Sequence, residues 1–352
     1  MSTGVIATGI HCPIIREGDN LQQIVIDSIF RTQDLEDGDI IGITESVVAR
    51  AQGNYVTVDQ IAKETIRLFG KDPILTLVEP IYSRNRFSMI LKGIARACKA
   101  INLIMPEFDE VGNPRSVNPF TGVNMMEYYT EICKNENCEV EINGTNPFST
   151  GTLICKLHDL EGYNLKNMHT LMDYFPGMCQ WGLLGSNKAN EETLKLFPDK
   201  AKAENLVKSI QDYIKEKLGI HVFVCVYGDG CFHAPGIPGV PGSSINEFAD
   251  PVAMVAYTNP EIFESSPYEI KLKAFADGRF KDLSGKELEQ AIKKEIQHKE
   301  IDSIRSGMKT QGTTPRRLDW LLASLMDLIS GSGDKGTPIV LVRNYFKNYA
   351  TC

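Results

Sequence analysis

Apolar residues recur along this chain with two periods, and the change from one to the other predicts most of its elements. Val222 to Val226 is an unbroken apolar, mostly β-branched run, the pattern of a strand buried on both faces. Gly4 to Ile10, Ile40 to Thr44, Ile101 to Met105 and Pro338 to Val342 read as further strands, and Ile270 to Ala276 as another. Between them the spacing turns helical: Leu21, Ile24, Val25 and Ile29 share one face, as do Phe87, Ile90, Leu91, Ile94 and Ala97, then Leu206, Ile210, Tyr213 and Ile214, then Leu318, Leu321, Leu322, Leu325, Met326 and Ile329. Asp19 or Asn20 can cap the first helix, Gly70 closes one over 58–69, Ser284 to Glu287 forms a capping box, and Thr314-Pro315 opens the last. The long helix over Lys200 to Leu218 runs straight into the strand at Val222, which is half of an α/β unit.

From Asp109 to about Gly151 this patterning weakens into Asn, Pro and Gly, with one helix expected over Asn124 to Lys134. Residues 110–177 therefore read as an insertion, and 1–109 with 178–352 as the core.

Composition narrows the class. At 352 residues, 42% hydrophobic and 23% charged, the chain has the make-up of a soluble globular protein with one large domain or two. No apolar run approaches the roughly 18 residues of a membrane helix. The start, MSTGVIATGIHCPII, lacks a basic flank and an apolar core, so a cytoplasmic protein without a membrane partner is expected. A net charge of −8 argues against nucleic acid as a partner. Nine scattered cysteines form no disulfide framework and are expected to be reduced.

Three small-residue turns stand out: Gly185-Ser186-Asn187, Gly228-Asp229-Gly230, and Gly331-Ser332-Gly333-Asp334-Lys335-Gly336. Successive backbone N–H groups in such turns can hold an anion, although each alone also fits ordinary turn chemistry. Asp229, between glycines at the end of a buried strand, is a candidate metal ligand or simply a turn-forming Asp. Asp109 with Glu110 is a second acidic candidate in a loop. No Walker loop occurs.

The ordered blocks Gly9 to Ile15, Glu17-Gly18-Asp19, Asp37-Gly38-Asp39-Ile40, Val47 to Gly53, Ser186-Asn187 with Leu196-Phe197-Pro198, Gly228-Asp229-Gly230, Ala323 to Leu328 and Pro338 to Arg343 resemble the γ-glutamyl ligases of the deazaflavin coenzyme F-420. The resemblance implies an α+β, mixed-sheet, two-domain fold, a two-fold homodimer, and a ligase that joins a small-molecule carboxylate to an amino acid such as L-glutamate through an acyl phosphate. It implies GTP, or ATP, as co-substrate and Mg²⁺ or Mn²⁺ as metal. Carried over residue by residue, it assigns Pro13, Ile14, Ile15, Glu45, Arg50, Asn187, Gly331, Ser332, Gly333, Asp334 and Lys335 to the nucleotide, and Asp229, Asp109 and Ser332 to metal, with Asp229 and Asp109 as the catalytic acids. Departures accompany it. Arg50 stands where the family has lysine, Glu45 where it has Ser or Gln, Gly230 where it has Thr, and Leu184 where a metal-binding Asp is expected, which is why Asp109 enters as a replacement. A relative that binds a nucleotide or metabolite without ligation is the rival reading.

Overall fold

The computed structural model describes residues 4–32, 34–79, 84–105, 107, 114–143, 154–156, 169–228, 254–258, 278–297, 318–331 and 335–345. In chain order its strands are β1 (Ile6–Ile10), β2 (Ile40–Thr44), β3 (Tyr55–Thr57), β4 (Ile74–Val78), β5 (Ala100–Ile104), β6 (Glu139–Asn143), β7 (Ile154–Lys156), β8 (Ser186–Asn190), β9 (Thr193–Leu196), β10 (Phe223–Gly228), β11 (Met254–Thr258) and β12 (Ile339–Arg343). Its α-helices are α1 (Leu21–Thr32), α2 (Glu45–Ala51), α3 (Val58–Phe69), α4 (Arg84–Ala95), α5 (Met125–Asn135), α6 (Lys200–Leu218), α7 (Gly285–Gln297) and α8 (Leu318–Ser330).

The unbroken apolar runs form the centre of a mixed five-stranded sheet in the spatial order β1-β12-β2-β10-β11, with β2 parallel to β10 and the other neighbours antiparallel. Both faces are covered, as those runs require. Ile41 and Ile43, Val224 and Val226, and Ile339 and Leu341 meet Val25 and Ile29 of α1 and Val207, Ile210 and Ile214 of α6. The intervening Ile40, Cys225, Tyr227, Val340 and Val342 meet Leu322, Ala323 and Met326 of α8 on the other side. Gly42 is the close-approach point there, because a Cβ would collide with Met326 Sδ.

A second mixed sheet runs β6-β5-β4-β7, with β4, β5 and β6 parallel through the crossover helices α4 and α5, and β7 antiparallel to β4. A three-stranded sheet, β3-β9-β8, completes the set. One apolar cluster joins α3, α4 and α5 to β4 and β5, to Leu194, Leu196 and Phe197, and to Leu171, Tyr174, Cys179, Leu183 and Leu184. Mixed sheets with helices packed on them make the fold α+β, as the sequence led us to expect. Within 110–177, the described residues of α5 and β6 sit in this arrangement, β6 pairing with β5 from Ala100↔Glu139 to Ile104↔Asn143.

Local cues account for the ends of these elements. Asn124 Oδ1 accepts from the backbone N–H of Met126 and Glu127 (3.0 and 3.2 Å) to open α5, and Asp199 Oδ1 accepts from Lys202 N (2.9 Å) to open α6. Thr57 and Gln60 form a capping box before α3. Gly219 closes α6 at φ +68°. One expectation is corrected. Ser186-Asn187 is not a turn but the first half of β8, paired in register with Leu196 and Lys195. The chain reverses earlier, in the 3-10 turn Gly182–Leu184. Ser186 is fixed in extended form because its Oγ donates back to Leu183 O at 2.6 Å. The expected strand at Ile270 to Ala276 and the helix start at Thr314 lie outside the described residues.

Candidate functional site

Strand directions bring distant segments to one edge of the five-stranded sheet. Parallel β2 and β10 both end there, at Thr44 and Gly228. Antiparallel β12 begins there, with Ile339 opposite Ile43, and β1 ends there, with Ile10 opposite Ile339. The loop after β1, the start of α2 and the segment leading into β12 therefore share the carboxyl edge of the parallel pair, where open α/β sheets hold ligands. Three contacts interlock them. His11 Nδ1 lies 3.3 Å from Gly336 O, Thr44 N donates to Pro338 O at 3.0 Å, and Thr337 packs on Gly9, whose missing Cβ leaves it room.

Glu45 is buried at this edge, its carboxylate pressed against Gly228. Beside it comes a residue that the sequence reading passed over, Lys195. Along β9, Leu194 and Leu196 enter the core, so strand alternation turns Lys195 to the opposite face. There it stands directly across from Tyr55 of β3 and Asn187 of β8, and its Nζ donates to Ser46 Oγ in the first turn of α2. Burial lowers the pKa of Lys195, the charge of Glu45 opposes that shift, and Arg50 adds to it. A lone Lys between two leucines on a short strand was the available signal, but only the pairing of β9 shows where it points.

The candidates from the sequence fall into three groups. Glu45, Arg50 and Asn187 are brought together through Lys195 and Ser46. Pro13 and Ile14 are exposed on the loop after β1, Ile14 at 79%, whereas Ile15 is buried with Leu21 and Val25. Gly331, at φ +59°, lies under the side chain of Lys335, so the two ends of that loop meet. Asp229, Asp109, Ser332, Gly333 and Asp334 lie outside the described residues. Leu184 is buried in the apolar cluster of the second sheet and offers no ligand.

Whether this edge suits a cation or an anion is a question of its donors. Of the charges near Lys195, Glu45 is negative and Arg50 positive, and Asp327 stands with Glu45 near the Tyr227 ring at the end of β10. No group of three His, Cys, Asp or Glu side chains that could hold a metal occurs among the described residues. The cations Lys195 and Arg50 suit an anion, and along the same sheet edge the buried hydroxyls of Thr44 and Thr337 have no partner among the described residues.

A second charged group lies at the carboxyl end of β4. Glu79 is fully buried, with Oε1 accepting from Arg115 Nη2 and from the Tyr129 hydroxyl (3.4 Å), and with Arg84 nearby. Burial pushes its pKa up to about 7, outweighing the pull of Arg115 in the other direction. Arg86, from α4, donates to Ser186 O at 2.8 Å and so ties this region to β8.

An α+β protein whose loops converge on an anion-suited strand edge is the class that these observations define. The family model of F420-0:Gamma-glutamyl ligase matches residues 9–344, and the chain belongs to that family. The Coenzyme F420:L-glutamate ligase of Methanothermobacter thermautotrophicus is 34% identical over 85 residues. That match covers 22% of this chain and 33% of the relative, so the chain spans about a third of the length of the curated protein it matches. No described helix is long and apolar enough to cross a membrane.

Proposed function

We propose that this chain is an amide-forming ligase that joins a small-molecule carboxylate to the amine of an amino acid such as L-glutamate at the expense of GTP or ATP. The observation that carries the reading is the convergence of the loop after β1 and the start of α2 with the segment leading into β12, with Lys195 against α2, within a chain matched by the family from residue 9 to residue 344. In the first step a carboxylate oxygen takes the terminal phosphoryl group and the nucleoside diphosphate leaves. In the second the amine attacks the acyl carbon, phosphate departs, and the nitrogen gives up a proton. Negative charge grows on the transferring phosphoryl oxygens, and cations fixed in advance in a partly dry site stabilise it. Half-buried Lys195 would do this, with the exposed Arg50 nearby, while Glu45, pressed on Gly228, keeps the start of α2 in register with the end of β10. The Mg²⁺ or Mn²⁺ dependence and the metal roles of Asp229, Asp109 and Ser332 remain expectations of the family resemblance, and no step here passes through them. A homodimer in the cytoplasm belongs to the same set.

The test is phosphate release from GTP and from ATP by the full chain with L-glutamate and a panel of carboxylic acids, with products identified by mass spectrometry. Phosphate release that needs one acid and one amine together, with the amide as product, supports the reading. A second reading, a nucleotide or metabolite binder without ligation, is favoured by the apolar burial of Leu184. Nucleotide binding with no phosphate release across the panel would select it.

A further inference from the structure

We infer that the groove between α5 and β6, together with the open edge of β6, receives an extended cationic segment of a partner protein, added to the sheet as a further strand. β6 stands last in the order β6-β5-β4-β7, and among the described residues β5 is its one neighbour. A strand so placed keeps one row of backbone N–H and C=O groups for another chain. Beside it α5 and the sheet leave a groove of about 480 Å³, lined by Met126 and Thr130 of α5 and by Val140 and Ile142 of β6. Met126 is 39% exposed, so the groove offers apolar surface to what enters it.

Strand alternation gives the incoming segment its pattern. Val140 and Ile142 pack against the apolar cluster of the second sheet, which leaves Glu139 and Glu141 exposed on the other face. An added strand therefore meets apolar side chains on its α5 side and carboxylates on the opposite side, and each favours its complement across the pair. Glu127 and Glu131 also line the groove, so in the lining and β6 together four carboxylates stand against the ammonium of Lys134. None of these five takes part in an ion pair among the described residues. A segment that alternates Lys or Arg with Val or Ile satisfies both faces. Strand addition of this kind draws affinity from main-chain hydrogen bonds and selectivity from alternate side chains. A second copy of this chain fits less well. Pairing β6 with itself at full overlap, with Val140 and Ile142 kept on one face, sets glutamate against glutamate. The carboxylates that keep the edge from its own kind thus select a cationic strand. None of the blocks that carry the family resemblance includes α5 or β6, so the surface is independent of the ligase reading.

The experiment uses the full chain and a fluorescein-labelled peptide, KVKIKVK, followed by anisotropy. The peptide should bind, and bind at least tenfold more weakly to Glu139→Lys/Glu141→Lys. Glu204→Lys/Glu216→Lys, the same charge change at exposed positions of α6, should alter affinity less than twofold. The scrambled peptide KKKKVIV, equal in charge, should bind at least fivefold more weakly. In the wild-type chain the alternating peptide should also slow amide hydrogen exchange across 139–143, a readout of backbone pairing that charge attraction alone does not produce. No binding, equal affinity for the double variant or for the scrambled peptide, or unchanged exchange across 139–143 each overturns the proposal. Slow exchange there in the chain alone that quickens on dilution gives the edge to a second copy, and overturns it too.

Discussion

Glu45 fills the space that any side chain at Gly228 would need. The two residues close the parallel pair β2 and β10, and the carboxylate of one lies on the Cα of the other. The glycine thus serves packing at the edge, while the rest of the turn that the sequence suggested lies outside the described residues.

Gly228→Ala should therefore destabilise the chain by about 1–3 kcal/mol, the range for inserting a methyl group into a filled site. Urea unfolding measures it. In a Glu45→Ala background the same change should cost clearly less, because the colliding carboxylate is gone and neighbouring residues couple. Equal costs in the two backgrounds would show that Glu45 does not stand over Gly228 in solution.

At the opposite edge, Arg343 holds the buried Asp39 carboxylate through Nε and Nη2, both at 3.1 Å, and Asp39 also accepts from Glu36 N at 2.8 Å. Arg343→Met leaves a buried carboxylate without its cation and should cost about 2–3 kcal/mol. Arg67→Met, which removes a pair between the exposed Arg67 and half-buried Glu64, should change stability much less. Comparable losses in thermal or urea unfolding would contradict the difference in burial.

Asn54 connects the strand that carries Lys195 to the rest. Its Nδ2 donates to Met178 O at 2.8 Å and to Phe197 O at 2.9 Å. Asn54→Asp turns this donor into an acceptor facing two carbonyls, a loss of about 2–4 kcal/mol at pH 8. Acidification should restore part of it, since a protonated carboxyl donates again. A variant as stable as wild type at pH 8 would remove Asn54 from this role.

The pH dependence of stability should carry the mark of Glu79. Its folded pKa of about 7 lies above the ordinary 4.5, so between those values the folded chain binds more protons than the unfolded one. Stability from this group is present at low pH and falls as pH rises through that window. Relative to Glu79→Gln, the wild type should lose stability between pH 5 and pH 8, read as a shift in urea midpoint. Parallel profiles for the two proteins would show that Glu79 titrates elsewhere.

Much of the fold was legible in the sequence because the signals are local. Asn20 caps and Gly70 closes a helix by contacts within a few residues, and Ile40 to Thr44 and Val222 to Val226 announce their burial by composition alone. Ser186-Asn187 misled because its small polar residues favour a turn, whereas pairing with Lys195 and Leu196 makes them a strand.

What the sequence determined by itself, then, was the central strands, most of the helices and the family resemblance, since periodicity and capping act over a few residues. Only the tertiary structure decided that His11 meets Gly336 and that Lys195 meets Ser46, contacts 325 and 149 residues apart. Strand order and register set those meetings. They depend on how whole faces pack, and no short stretch of chain encodes that.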